Sequence, residues 1–228
     1  MESLAPTPAL LFDLDGTLVD SVYQHVLAWR EALEEAGIEL AVWRIHRRIG
    51  MSGGLFVNAL ARETGRALSE DDARALQESH SRHYAMRIRQ VRPLPGATAL
   101  LEQLSAMDIP WAIATSGSRV TAGPTIDLLG LSAPPTVVTR DEVPFAKPDP
   151  HLFLAAASRL GVPIADAIVV GDSVWDMLAA QRARALGVGL LSGGYGREEL
   201  QTAGAFRVYD DPEDLRHHLD ELGIRFVR

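Results

Sequence analysis

From Gly96 onward the chain alternates short apolar runs with helix-period segments, and this alternation restricts the fold more than any other feature. The apolar runs are Trp111-Ala112-Ile113-Ala114, Thr136-Val137-Val138, Ala167-Ile168-Val169-Val170, 187–191 and 205–209. Helical patterns are read at 97–106, up to Leu129, and at 150–160, 174–185, 197–202 and 212–221. Strands joined by helical crossovers run parallel, and a parallel sheet must be covered on both faces. One more strand, residues 9–15, opens the chain. Residues 20–92 carry helical signals only: Val22, Val26, Trp29, Leu33 and Ala36 share one face, and Leu55–Glu63 and Asp71–Arg89 follow. Pro93 and Pro95 mark a return linker. The predicted fold is α/β: a three-layer Rossmann-like core of residues 1–19 and 93–228, with a helical domain of residues 20–92 inserted after the first strand. Asp20-Ser21 and 91–95 are the expected hinges.

Three of the apolar strands end in polar residues. The first stops at Asp13-Leu14-Asp15-Gly16, the second at Thr115-Ser116-Gly117, the third at Gly171-Asp172. Ligands of open α/β sheets bind outside the carboxyl ends of the strands, so these tips are expected to share one pocket. Strand alternation sends Asp13 and Asp15 to the same side. Two acids there are costly unless a cation, a proton or a catalytic task compensates them. Asp176 lies one helical turn beyond Asp172 and can face the same way. With hard oxygen donors and no cysteine anywhere, Mg²⁺ is a better expected metal than zinc. Lys147 is the only lysine among 22 Lys+Arg. A compact ammonium is not interchangeable with a guanidinium fork, so this one survivor is expected to be functional. The helix after Ser118 offers free N–H groups to an anion. No Walker-type glycine loop occurs, so ATP is not the expected ligand.

The net charge of −8 argues against nucleic acid or an anionic membrane as a general partner. The segment Met1 to Pro8 has neither the basic nor the apolar stretch of a leader, and no apolar run is long enough to span a bilayer. Absence of cysteine fits a reducing compartment, and a cytoplasmic location is expected. The state of assembly is left open between monomer and homodimer.

Taken together, Asp13-Leu14-Asp15-Gly16-Thr17, Thr115-Ser116, Lys147-Pro148-Asp149-Pro150 and Gly171-Asp172-Ser173-Val174-Trp175-Asp176 resemble the motifs of the haloacid dehalogenase superfamily of phosphohydrolases, in the family's order. The continuation Leu18-Val19-Asp20-Ser21 is similar to the subgroup with a helical cap after the first strand, which includes phosphoglycolate phosphatases and β-phosphoglucomutases. The resemblance implies Asp13 as nucleophile, Asp15 as acid and base, Thr115 as a donor to the phosphoryl oxygens and Lys147 as their counter-charge. It implies Mg²⁺ held by Asp13, the carbonyl of Asp15 and Asp172, with Asp176 in support. Ser116 and Gly117 would complete the phosphate site. The implied activity is a Mg²⁺-dependent phosphatase acting on a small phosphorylated metabolite through an aspartyl-phosphate.

In the cap, Arg44, Arg47, Arg48 and the loop Gly50–Gly54 are the most suggestive stretch, with Arg47, Arg48 and Gly50 as candidate substrate- or phosphate-binding residues; the alternative is a solvated basic helix face and an ordinary turn. His25, His46 and His151 are expected to be packing or surface residues, and Trp29, Trp43 and Trp111 core or interface residues. The rival readings are a phosphosugar mutase and a catalytically silent phosphate-ligand binding protein. The mutases of the subgroup use a cap lysine, and this cap has none. Dehalogenation is disfavoured because Asp15 is present.

Overall fold

A computed structural model describes residues 8–65 and 67–225. Met1–Thr7 and residues 226–228, which the domain reading includes, lie outside it, as does most of the segment read above for a leader.

Six parallel strands form the central sheet: β1 (Ala9–Phe12), β4 (Trp111–Ala114), β5 (Val137–Val138), β6 (Ala167–Gly171), β7 (Leu186–Leu190) and β8 (Ala205–Tyr209), in the order β5-β4-β1-β6-β7-β8. Alternation in β1 divides the core into two layers. Leu10 and Phe12 face the helices α5 (Ala97–Ala106) and α10 (Pro212–His217), while Ala9 and Leu11 face α7 (His151–Leu160) and α8 (Val174–Ala183). Every strand of the interior is apolar on both sides for that reason. β1 pairs with β4 on one side and β6 on the other, Leu11 lying opposite both Ala112 and Val169. The strand order reverses at β1, which makes the ends of β1, β4 and β6 the floor of a crevice.

The chain leaves and rejoins the sheet through a two-stranded antiparallel ribbon, β2 (Val19–Asp20) against β3 (Arg92–Pro93). Between them lie α1 (Val22–Glu35), α2 (Val42–His46), α3 (Gly53–Thr64) and α4 (Glu70–Arg87). This cap has its own core, in which Val26, Trp29 and Leu33 of α1 pack on Phe56 and Leu60 of α3 and Leu76 of α4. Ser69 starts α4 with a capping box to Asp72, so a helix with few apolar residues still has a defined beginning. The cap base is tied to the sheet domain by Tyr84 Oη, 2.9 Å from Thr125 Oγ1 of α6 (Arg119–Asp127).

Some expectations need correction. The first strand ends at Phe12, not residue 15, because Asp15-Gly16 turns back to bond Val19, with Gly16 at φ +84°. The segment read as one helix over 212–221 is α10 followed by a 3₁₀ turn at Leu219–Leu222. Trp43 is 64% exposed and belongs to no core. No helix among the described residues is long and apolar enough to cross a membrane.

Candidate active site

Each strand end delivers its side chain through the backbone ladder. Asp13 N–H bonds Val170 O at 2.9 Å and Thr115 N–H bonds Val138 O at 3.0 Å, so both residues continue the sheet by one position and point out of its edge. Asp172 follows β6 directly, and Asp176 enters from the first turn of α8. Carboxylate oxygens of Asp13, Asp172 and Asp176 all lie within 4.8 Å of one another, and all three residues are buried. Lys147 is fully buried between them. Its ammonium donates to Asp13 Oδ1 and lies 2.7 Å from Asp176 Oδ1, an ion pair without hydrogen-bond alignment.

Glycines make room for these acids. A Cβ on Gly193 would come within 1.7 Å of Asp172 Oδ2, one on Gly16 within 2.6 Å of the same atom, and one on Gly171 within 2.3 Å of Asp176 Cγ. Thr17 donates to Asp172 Oδ1 at 3.0 Å, and Ser173 N–H donates to Asp176 Oδ2 at 3.1 Å as the cap of α8.

The charge balance is negative. Burial, helped by the neighbouring Asp176 and Asp15, pushes Asp13 up to about 7 against the pull of Lys147. Burial, with Asp176 and Asp13 beside it, holds Asp172 well above the usual carboxylate range. The ammonium of Lys147 is stabilised in return: Asp13 and Asp176 outweigh its burial and raise it. One lysine against three buried acids leaves a deficit that a hard divalent cation would fill. Oxygen-only donors, gathered in a pocket that glycines keep open, fit Mg²⁺.

Asp15 lines the same cavity as Asp13. Ser21 Oγ donates to its Oδ1 at 2.5 Å, and His25 Nε2 is 3.1 Å from the same oxygen. Burial would raise this carboxyl, but the His25 and Ser21 contacts overcome it and hold it below its ordinary value. His25, expected to be packing or surface, therefore touches the candidate acid/base. The only signal for it in the sequence was its place one turn into α1.

A cavity of about 270 Å³ opens above these groups, lined by Asp13, Asp15, Thr115, Ser116 and Gly117 below and by cap residues above. Thr115 Oγ1 accepts from Gly117 N–H at 3.0 Å, and Ser116 Oγ donates to Gly50 O at 2.9 Å, tying the loop after β4 to the cap. Gly50, at φ +94°, packs against Ser173, where a Cβ would be 2.9 Å from Oγ. The cap arginines differ from expectation. Arg47 does not line the cavity: its guanidinium pairs with Glu199 and lies 4.1 Å over the Tyr195 ring. Its carbonyl accepts from Tyr195 Oη at 2.9 Å and from Trp175 Nε1 at 3.3 Å. It clasps the cap to the sheet domain. Arg44 also stays outside and pairs with Glu63, whereas Arg48 lines the cavity but pairs with Glu63 too. His46 is a second clasp, 2.9 Å from Gly193 O and stacked near Tyr23 and Tyr195. Sequence reasoning also missed His80, Gln77 and Arg140, all on the cavity wall. No motif marks them, because the folding of α4 over α1 brings the first two there.

Comparison with known proteins agrees with this geometry. Residues 7–184 match the model of the haloacid dehalogenase-like hydrolases. A solved structure described as a hydrolase from Pseudomonas syringae superposes with a TM-score of 0.92 at 54% identity, covering 94% of this chain and 99% of that one. A phosphoglycolate phosphatase of Rhodospirillum rubrum is 36% identical, covering 89% of this chain and 87% of its own. Hexitol phosphatase A of Escherichia coli is 34% identical, covering 76% and 78% respectively. The chain belongs to the haloacid dehalogenase-like hydrolase family.

Proposed function

We propose that this hydrolase is a Mg²⁺-dependent phosphatase that cleaves a small organic phosphate monoester through a phosphoryl-Asp13 intermediate, with residues 1–19 and 93–228 as catalytic core and 20–92 as cap. The observation that carries the reading is the position of Lys147: the chain's one lysine is buried against Asp176 and against Asp13, which lines the cavity. The names of the phosphatase relatives support the same class, and the lysine-free cap disfavours the mutase alternative.

Asp13, Asp172 and the Asp15 carbonyl would hold the metal, with Asp176 beside them. When bound, the ion would neutralise the acids and the phosphoryl oxygens. Lys147 supplies fixed positive charge beside the same oxygens, and Thr115, Ser116 and the N–H groups before α6 supply donors. The Asp13 carboxylate attacks phosphorus while the ester P–O bond breaks. Oδ1 of Asp15 already accepts from Ser21 and His25. Oδ2 is therefore the oxygen that carries the transferable proton. The negative phosphoryl group beside it raises the proton affinity of Asp15, which protonates the leaving oxygen. The same carboxylate then takes a proton from the water that attacks the phosphoryl-Asp13. The acyl-phosphate bond breaks, phosphate leaves, and Asp15 ends the cycle protonated. The clasp of Arg47 and His46 keeps the cap down and bulk water out during transfer.

The test is phosphate release from a panel of phosphorylated metabolites with Mg²⁺, with a chelator, and with Asp13→Asn. Release should need the metal and vanish in Asp13→Asn without loss of the folded melting transition. Turnover near wild type in that variant would refute the mechanism.

A further inference from the structure

The wall of the cavity carries two arginines, and they differ in their partners. Arg48 has its charge met by Glu63. Arg140 pairs with no carboxylate among the described residues. It opens a 3₁₀ turn (Arg140–Glu142) just past β5, where its backbone N–H bonds Gly117 O at 3.0 Å and its Nη1 donates to Val143 O at 3.1 Å. That side-chain contact uses one of the five guanidinium N–H groups, and the others meet no acceptor among the described residues. The nearby acids are committed elsewhere. Glu142 pairs with Arg119 and Arg159 and accepts from the Thr139 N–H. Asp141 accepts from the Arg119 N–H at 2.7 Å.

The chain has 30 Asp+Glu against 22 Lys+Arg, so no shortage of acids leaves Arg140 unpaired. Every other described arginine without an ion pair to a described acid is exposed, and water serves it. Arg140 is half-buried and lines the cavity. A guanidinium partly withdrawn from water is costly without an anion, and an anionic ligand group would remove that cost. That group is not the phosphoryl under transfer. The sheet order puts β4 between β1, which Asp13 follows, and β5, which leads to Arg140. Two strand spacings set the roots of these residues roughly 10 Å apart. The donors assigned above to the phosphoryl oxygens, Thr115 and Ser116, follow β4, one strand nearer to Asp13.

We propose that Arg140 is a specificity-determining residue whose guanidinium pairs with a second anionic group, a carboxylate or a second phosphate, on the leaving group. The inference rests on the phosphatase reading above. The planar fork matches either anion with two parallel N–H···O bonds, which a neutral leaving group cannot accept in the same way.

The experiment compares kcat/KM for short phosphorylated hydroxy acids, the matching amides, a diol bisphosphate with its monophosphate, and an aryl phosphate. The wild type should favour an acid over its amide, or the bisphosphate over the monophosphate, by about tenfold or more, and the arm that shows the preference names the anion. In Arg140→Gln that ratio should fall to near unity, with the loss on the anionic ester. In Arg140→Lys it should return in part, because the ammonium keeps the charge and loses the fork. Wild-type ratios near unity in both arms, a ratio that persists in Arg140→Gln, or an equal loss for anionic and neutral esters would each overturn the inference, the last by placing Arg140 on the phosphoryl group. Should Arg140→Gln not fold, the wild-type ratios and Arg140→Lys decide alone. The aryl phosphate separates the two levels: its turnover without any preference for a second anion overturns this inference only, and failure to turn over any ester overturns the phosphatase reading too.

Discussion

Replacing Lys147 by methionine keeps the length of the side chain and removes its charge. The side chains of Lys147, Asp13 and Asp176 are 0%, 4% and 0% exposed, so water does not screen the group and the figure for a surface ion pair does not apply. Removing one partner of a buried pair costs about 3–5 kcal/mol, because the remaining charges are left uncompensated. In a chain of this size that is a fall of about 6–20 °C in Tm. The loss depends on pH, and its sign follows from the acids. Asp13 titrates at about 7 in the folded chain against an ordinary 3.8, so the fold binds its proton more tightly than the unfolded chain does. The folded state therefore loses stability relative to the unfolded one as pH rises through that window, wherever no cation offsets the charge. Lys147 titrates above its ordinary value and stays charged throughout this range. Differential scanning fluorimetry of Lys147→Met against wild type should show a larger Tm deficit near pH 8 than near pH 5. Added Mg²⁺ should narrow the deficit at the higher pH. An unchanged Tm near pH 8, or a deficit that grows on acidification, would refute the electrostatic account of the cluster.

Two further substitutions test the surroundings of the site. Gly193→Ala places a Cβ where it would lie 1.7 Å from Asp172 Oδ2; Mg²⁺ titrations of phosphate release should show the half-saturating metal concentration raised by an order of magnitude or more, and an unchanged value would show that Asp172 is not held there. Arg47→Ala removes an exposed ion pair and a cation–π contact, together worth about 1 kcal/mol. It should raise KM about fivefold with kcat retained, as a clasp would. A hundredfold loss of kcat would return Arg47 to the substrate.

The strands and the tips of the sheet were readable because each is a local pattern. An apolar run buried on both faces, as in Ala167–Gly171, leaves no alternative to an interior strand, and the acids at its end have no place but the sheet edge. Lys147 was visible through composition alone. Residues whose role depends on packing between helices were not. His25 and His80 are 55 positions apart and meet only because α4 lies along α1. Arg47 and Arg48 look alike in sequence, yet one turns outward to Glu199 and the other toward the cavity and Glu63, and only the direction of the short helix α2 separates them. The end of the first strand was misplaced because Asp13-Leu14-Asp15 continues an alternation that the turn at Gly16 breaks.

The central claim is that Asp13 takes the phosphoryl group. It is tested most directly by rapid acid quench of Asp15→Asn with an aryl phosphate, whose leaving group needs no proton, followed by peptide mass spectrometry. The variant can accept the group but lacks the base that would release it, so one phosphoryl group should accumulate on the peptide that contains Asp13. A quenched protein without the adduct during turnover, or with the phosphoryl group on any other residue, would contradict the account.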